Sequence, residues 1–153
     1  LMAMAFRLIQ TAIIGLNLLN HYAALIVLNG AGHLSAFSPD QLHALVALFL
    51  DMHRHGYDLG LLFFGVNSLI IGYLVWRASY FPSALGVLMM AAGVVYLSGS
   101  YLLFLAPAQA DLFAPFYVIA LIAEVSFCLW LLIKGVDGES WDQASAHAKG
   151  ADA

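Results

Sequence analysis

From Leu112 to Ile133 the chain is apolar and long enough to cross a lipid bilayer, yet it holds one acidic residue, Glu124. Crossing the hydrocarbon takes about 20 mostly apolar residues. A charge at that depth costs roughly 2.5–3.5 kcal/mol on insertion scales. Such a group is expected to face protein rather than lipid and to find a polar partner. Three further runs settle the fold class. They cover residues 4–28, with no charge after Arg7, 59–76, bracketed by Asp58 and Arg77, and 83–105, bracketed by Pro82 and Pro107. Lipid offers backbone amides no partner, so each run must be helical.

The fold expected is an all-α membrane domain over residues 1–135, with four transmembrane helices at 4–28, 59–76, 83–105 and 112–133. The links 77–82 and 106–111 are short, which makes successive spans antiparallel in a bundle. Between the first two spans, Ser38, Pro39 and Asp40 read as a helix start: a capping hydroxyl, a proline at the first helical position, then an early acid. Leu42, Leu45, Val46, Phe49 and Leu50 follow at helical spacing, with Asp51, Arg54 and His55 toward the other side. The spacing predicts an amphipathic interfacial helix over 39–55, with a bend near Gly56. Residues 136–153 are polar and small, as in a disordered, solvated tail.

The chain is 63% hydrophobic and 9% charged, against about 25% charged in soluble domains. With a net charge of -4 and no basic run, nucleic acid is excluded as a partner. The lone Cys128 rules out an internal disulfide. The first apolar run has no basic flank before it and is too long for a signal peptide. The chain opens on Leu1, so either Met2 or Met4 is the start or residues precede it. Arg7, Arg77, Lys134 and Lys149 fall on one side of the spans and only Arg54 on the other. The positive-inside rule makes that side cytoplasmic, with both ends of the chain inside. Trp76, Tyr80, Trp130 and Trp141 fall near the same boundary.

The stretch from Leu62 to Ser79, then Pro82, Leu85-Gly86 and Ala92-Gly93, and later Ala123-Glu124 through Lys134-Gly135, resembles the domain of unknown function 4386 family of small bacterial integral membrane proteins. The resemblance implies a bacterial cytoplasmic (inner) membrane protein. Members look like six-span proteins, which implies two N-terminal helices beyond the four here. In that family a basic residue like Arg7 tends to precede an acid one turn later, where this chain has Gln10. The family implies no reaction, substrate or cofactor.

Counting depth from the span ends places Asn17, His21, Asn67, Ser98 and Glu124 in one intramembrane polar layer. Glu124 should then find its partner among Asn17, His21, Asn67, Tyr96 and Ser98. The layer reads either as a proton relay or ligand pocket, or as hydrogen-bonded glue between helices. His21 has a further reading as an axial ligand to a tetrapyrrole metal. Outside the spans, His33, His43, Asp51, His53, Arg54, His55 and Asp58 cluster. Of these, His53, His55 and Asp58 are the candidates for a metal, but His53 and His55 fall on different helical faces, so no metal site and no cofactor is assigned. Asp51 with His55 and Arg54 with Asp58 are ordinary i,i+4 pairs. Gly65 with Gly72, and Gly86 with Gly93, make small-residue stripes for close helix packing. Ser79, Ser83, Ser98, Ser126 and Cys128 have no motif context as nucleophiles.

Three functions remain open. The first is a non-catalytic accessory subunit of a larger membrane complex, with other membrane subunits or further copies of itself as partners. The second is a small carrier or proton-coupled channel using Glu124. The third is a membrane enzyme, or a metal or tetrapyrrole binder, using His21 or the outer histidines.

Overall fold

The computed structural model of the chain describes residues 1–30 and 32–151. Among them there is no strand. Six α-helices follow in order: α1 (Met2–Leu28), α2 (Pro39–Arg77), α3 (Ser83–Leu105), α4 (Pro107–Phe113), α5 (Tyr117–Ile133) and α6 (Gly138–Ala151). Four stretches, namely α1, α2, α3 and Pro107–Ile133, are long and apolar enough to cross a membrane. The chain is an all-α membrane protein.

Which residues are buried says the same. The largest fully buried side chains are Ser68 and Ser100, and the core is otherwise rich in residues such as Ala92, Ala120 and Ala123. Large apolar residues such as Leu105, Leu132 and Ile133 point outward, each at least 75% exposed. A water-soluble bundle would reverse this pattern. In lipid, close packing of small residues holds helices together.

The helices pack in a row: α1 on α2, α2 on α3, α3 on α5. Each neighbouring pair is antiparallel. Phe6 meets Phe63 while Asn17 meets His53. Gly65 lies on Gly93 while Gly72 lies on Gly86. Tyr96 meets Glu124 while Tyr117 lies on Gly99. The α2–α3 seam is the closest. A β-carbon at Gly72 would stand 2.6 Å from the Met90 amide nitrogen and 2.8 Å from the Gly86 carbonyl. The glycine stripes are therefore where two backbones touch.

Three elements differ from the sequence reading. First, the segment 39–55 is not a separate helix, and the helix is unbroken at Gly56. It is the first half of α2, one helix of 39 residues. The start is as read: Ser38 accepts from the Gln41 amide, and the Gln41 side chain answers to the Ser38 amide, a reciprocal cap. Gly56 turns nothing; its missing side chain leaves room for Asn17 of α1. At 1.5 Å per residue α2 is about 58 Å long, roughly twice the hydrocarbon thickness of about 30 Å. Its first half stands against the end of α1.

Second, the fourth span is tightened part-way. Helix α4 ends at Phe113, a 3-10 turn covers Ala114–Phe116, and α5 starts at Tyr117, the backbone staying right-handed helical throughout. Pro115 has no amide hydrogen for the helical ladder, which accounts for the local change of hydrogen bonding. Third, the 136–153 segment read as disordered carries α6. Trp141 packs edge-on against Tyr80 at 5.1 Å between centroids, a tertiary anchor that a short polar helix otherwise lacks. The side chain of Lys149, used for orientation, lies outside the described residues, as does that of His33.

Candidate functional site

Glu124 sits half-buried on α5 and faces α3. The Tyr96 hydroxyl donates to its Oε1 at 2.5 Å. Tyr96 packs on Phe64 of α2 at 5.0 Å between centroids, and the Arg7 guanidinium of α1 lies 4.5 Å over the other partner of that stack, the Phe64 ring. Arg7, Phe64, Tyr96 and Glu124 therefore occupy one level across all four long helices. Arg7 is not at the boundary, where the sequence reading put it, but level with the acid. Its own helix offers only Gln10, whose side-chain oxygen accepts at 3.2 Å.

The expected polar layer splits by height. Asn17 is buried; its amide donates to the His53 carbonyl at 2.8 Å and its oxygen accepts from Asn20 at 3.0 Å. The His21 ring lies tilted against His53 at 4.3 Å between centroids. Both belong to the level of Gly56, about 12 Å along α2 from Phe64 at 1.5 Å per residue. Asn67 stays near Glu124. It is buried, and its Oδ1 has no hydrogen-bond partner. Ser98 shares a stripe of α3 with Val94, Tyr101 and Leu105, all exposed, so it turns away from the site. Ser100 is the serine that faces in: its hydroxyl donates to Asp58 at 3.4 Å.

The metal candidates do not converge. His53 turns its Nδ1 to the Asn17 carbonyl, His55 its Nδ1 to the Asp51 carbonyl, and Asp58 its carboxylate to Ser100. Among the described residues no group of three His, Cys, Asp or Glu is placed to hold a metal ion. Cys128 is exposed.

Two cavities meet at Glu124. The upper, of about 390 Å³, takes Arg54 to Leu61 from α2, Tyr96 to Leu103 from α3, and Ala110, Asp111, Ala114 and Tyr117 around the 3-10 turn of the fourth span. At its mouth Arg54 pairs with Asp111 at 3.4 Å. The lower, of about 350 Å³, takes Phe64 to Ile71 from α2, Met89 from α3, Arg7 from α1, and Glu124 to Leu131 from α5. It lies between α1 and α5, which do not pack on one another. The residue order along α2, α3 and α5 shows that the two extend in opposite directions from the same carboxylate. The 3-10 turn at Pro115 borders the upper cavity through Ala114 and Tyr117.

Against known proteins, the domain of unknown function DUF4386 matches residues 1–135, the whole helical domain up to the end of α5. The chain belongs to the DUF4386 family. A relative in Archaeoglobus fulgidus, described as an uncharacterized protein, is 33% identical over 95 residues, which are 62% of this chain and 52% of the relative. This DUF4386 chain thus spans about half the length of the curated relative it matches. No solved structure matches it.

Tyr96 is among the partners the sequence offers for Glu124; Arg7, Asp58 and Tyr117, which share its two cavities, are not. The signal for Pro115 was in plain view, since a proline inside an apolar run breaks or kinks a helix. The other omissions are matters of height and rotation, which no local motif carries.

Proposed function

We propose that this DUF4386 protein is a small membrane carrier whose loading group is Glu124. One observation carries the reading: a single half-buried carboxylate lines two cavities that extend in opposite directions. A titratable group placed so can exchange a proton with one side and then the other. The Tyr96 hydroxyl steadies the carboxylate between exchanges. This reverses the order reached from sequence, which puts the accessory subunit first on small size, a packing-rich glycine pattern and the lack of a catalytic motif. By the distribution of Arg77 and Lys134, the lower cavity faces the cytoplasm and both chain ends lie inside, in a bacterial inner membrane.

The test is proton flux into liposomes holding the purified protein, read with a trapped pH-sensitive dye under an imposed gradient. Wild-type flux above empty liposomes, lost in Glu124→Gln with unchanged elution and helicity, supports the reading. Equal flux from the two proteins sinks it.

A second reading keeps a specific observation of its own. The flank between α1 and α5 is open, and Arg7, Asn67 and Glu124 line it. A further transmembrane helix would cover it, as expected of an accessory subunit inside a larger complex or of a homo-oligomer. Partners that co-purify and are lost in Asn67→Leu, with no flux from the isolated protein, favour it.

A further inference from the structure

We infer that the upper cavity is a binding site for a small organic ammonium ion. The inference deepens the carrier reading by naming the class of cargo, and it rests on the same site.

The charges come first. Arg54, the cation of this cavity, is paired at the mouth with Asp111. That leaves Asp58 and Glu124 inside. Each accepts one hydrogen bond from a neutral hydroxyl, Ser100 and Tyr96 respectively. Neither forms an ion pair among the described residues. A carboxylate offers about four acceptor positions, so both retain capacity toward the cavity. An anion would meet two acids and no free cation. An ammonium group would meet two half-buried carboxylates, where the attraction is stronger than between fully solvated charges.

The walls then choose among cations. Tyr57, Tyr96 and Tyr117 line the space, with Tyr96 and Tyr117 tilted against each other at 5.9 Å between centroids. Aromatic faces attract organic cations, and cages of such rings are how quaternary ammonium groups are recognised. Leu61, Leu103 and Leu121 supply the apolar remainder. A calcium or magnesium ion would want six or more oxygen ligands close around it. A cavity of about 390 Å³ with two separated carboxylates does not provide that shell. It is instead in the size range of pockets for small organic molecules, about 300–1,000 Å³.

Tyr117 also shows that the shape is maintained. Its hydroxyl occupies the place a β-carbon at Gly99 would take. The α3–α5 seam thus lets this ring reach across the cavity only because residue 99 has no side chain.

The test is titration calorimetry on the detergent-purified full chain, with choline as probe. Its uncharged isostere 3,3-dimethylbutan-1-ol and potassium chloride serve as comparators. We expect choline to bind and the isostere and potassium to give no matching heat. Asp58→Asn and Tyr117→Leu should each weaken binding about tenfold, the effect of losing one charged or cation–π contact of ordinary strength. Circular dichroism and elution volume confirm that the variants are folded. Gly99→Ala, which crowds the Tyr117 ring, gives a second route to the same loss should Tyr117→Leu fail to fold. Binding of the isostere as strongly as choline, equal binding of potassium, or no binding by folded wild type overturns the inference. Because binding is read without a membrane gradient, the two claims fail separately. Choline binding in a protein without Glu124-dependent flux refutes the carrier and leaves the site standing. Flux without choline binding refutes the site alone.

Discussion

The seam between α2 and α3 and the gap between α1 and α5 are built on opposite rules. In the seam, Gly65, Gly72, Gly86 and Gly93 bring two backbones into contact, and the polar side chains buried along their stripes are the small Ser68 and Ser100. In the gap, the helices do not pack, and Arg7, Asn67 and Glu124 line what is left open. Small residues give a membrane protein its rigid frame, since lipid competes with any merely greasy contact. Ionisable residues collect where packing is loosest, because there a side chain can still change its proton or its partner. The chemistry of this chain hangs on the flank of a stiff pair of helices.

The strongest way to break this contrast is to add one methyl group on each side of it. Gly72→Ala places a β-carbon against backbone atoms that cannot swing aside. Overpacking typically costs about 1–3 kcal/mol, and here the upper end or a failure to fold is expected. Gly15→Ala on α1 meets nothing within 4 Å. In a helix interior that change should stabilise by about 0.5–1 kcal/mol. Thermal melts of both variants in one detergent should move in opposite directions. Equal shifts would mean that the seam is no tighter than the outer face of α1.

Glu124 supplies the next effect. Glu124→Leu leaves the Tyr96 hydroxyl without its acceptor in a half-buried position, a loss of about 1–3 kcal/mol. Glu124→Gln keeps an acceptor at similar reach and should cost under about 1 kcal/mol. The difference between the two melts isolates the hydrogen bond from the charge. Leucine as stable as wild type would show that the 2.5 Å contact holds nothing in place.

These residues also show what could be read beforehand. The helices could, because apolar runs of bilayer length leave the backbone no alternative, and Ser38 marked one start in its own chemistry. Gly56 misled, since a glycine reads as a break when its neighbour across the seam is unknown; here it makes room for Asn17. Tail helix α6 was hidden by polar composition; among the described residues, Trp141 on Tyr80 anchors it. In the site, Glu124 announced itself by isolation. Ser100 was mistaken for Ser98 because α3 is apolar almost all round, so its sequence does not say which stripe faces inward. Asn17 and His21 were assigned to the wrong level because depth was counted from span ends. Helix α1 is displaced along α2, and that offset is set by packing between residues far apart in sequence.

A third change tests the α1–α2 seam, which lies between the two extremes. Asn17→Leu removes a buried donor to the His53 carbonyl and an acceptor for Asn20, and puts a branched chain against Gly56. A loss of about 1–3 kcal/mol is expected, less than at Gly72 because side chains rather than backbones meet there. A loss as large as at Gly72 would make α1 part of the frame.

The smallest effect belongs to Arg54 and Asp111, and it reports on the cavity mouth. Their side chains are 55% and 91% exposed, at 3.4 Å. An exposed pair is worth about 0–1 kcal/mol, and salt weakens it further. A double-mutant cycle with Arg54→Met and Asp111→Asn isolates the coupling from the separate costs of each change. We expect under about 1 kcal/mol at low salt, falling when ionic strength rises. That result describes a wet mouth that ligands pass without breaking a strong lock. A coupling above about 2 kcal/mol that ignores salt would describe desolvated charges. The upper cavity would then be closed from that side, and the contrast between a tight seam and open flanks would hold for the α1–α5 gap alone.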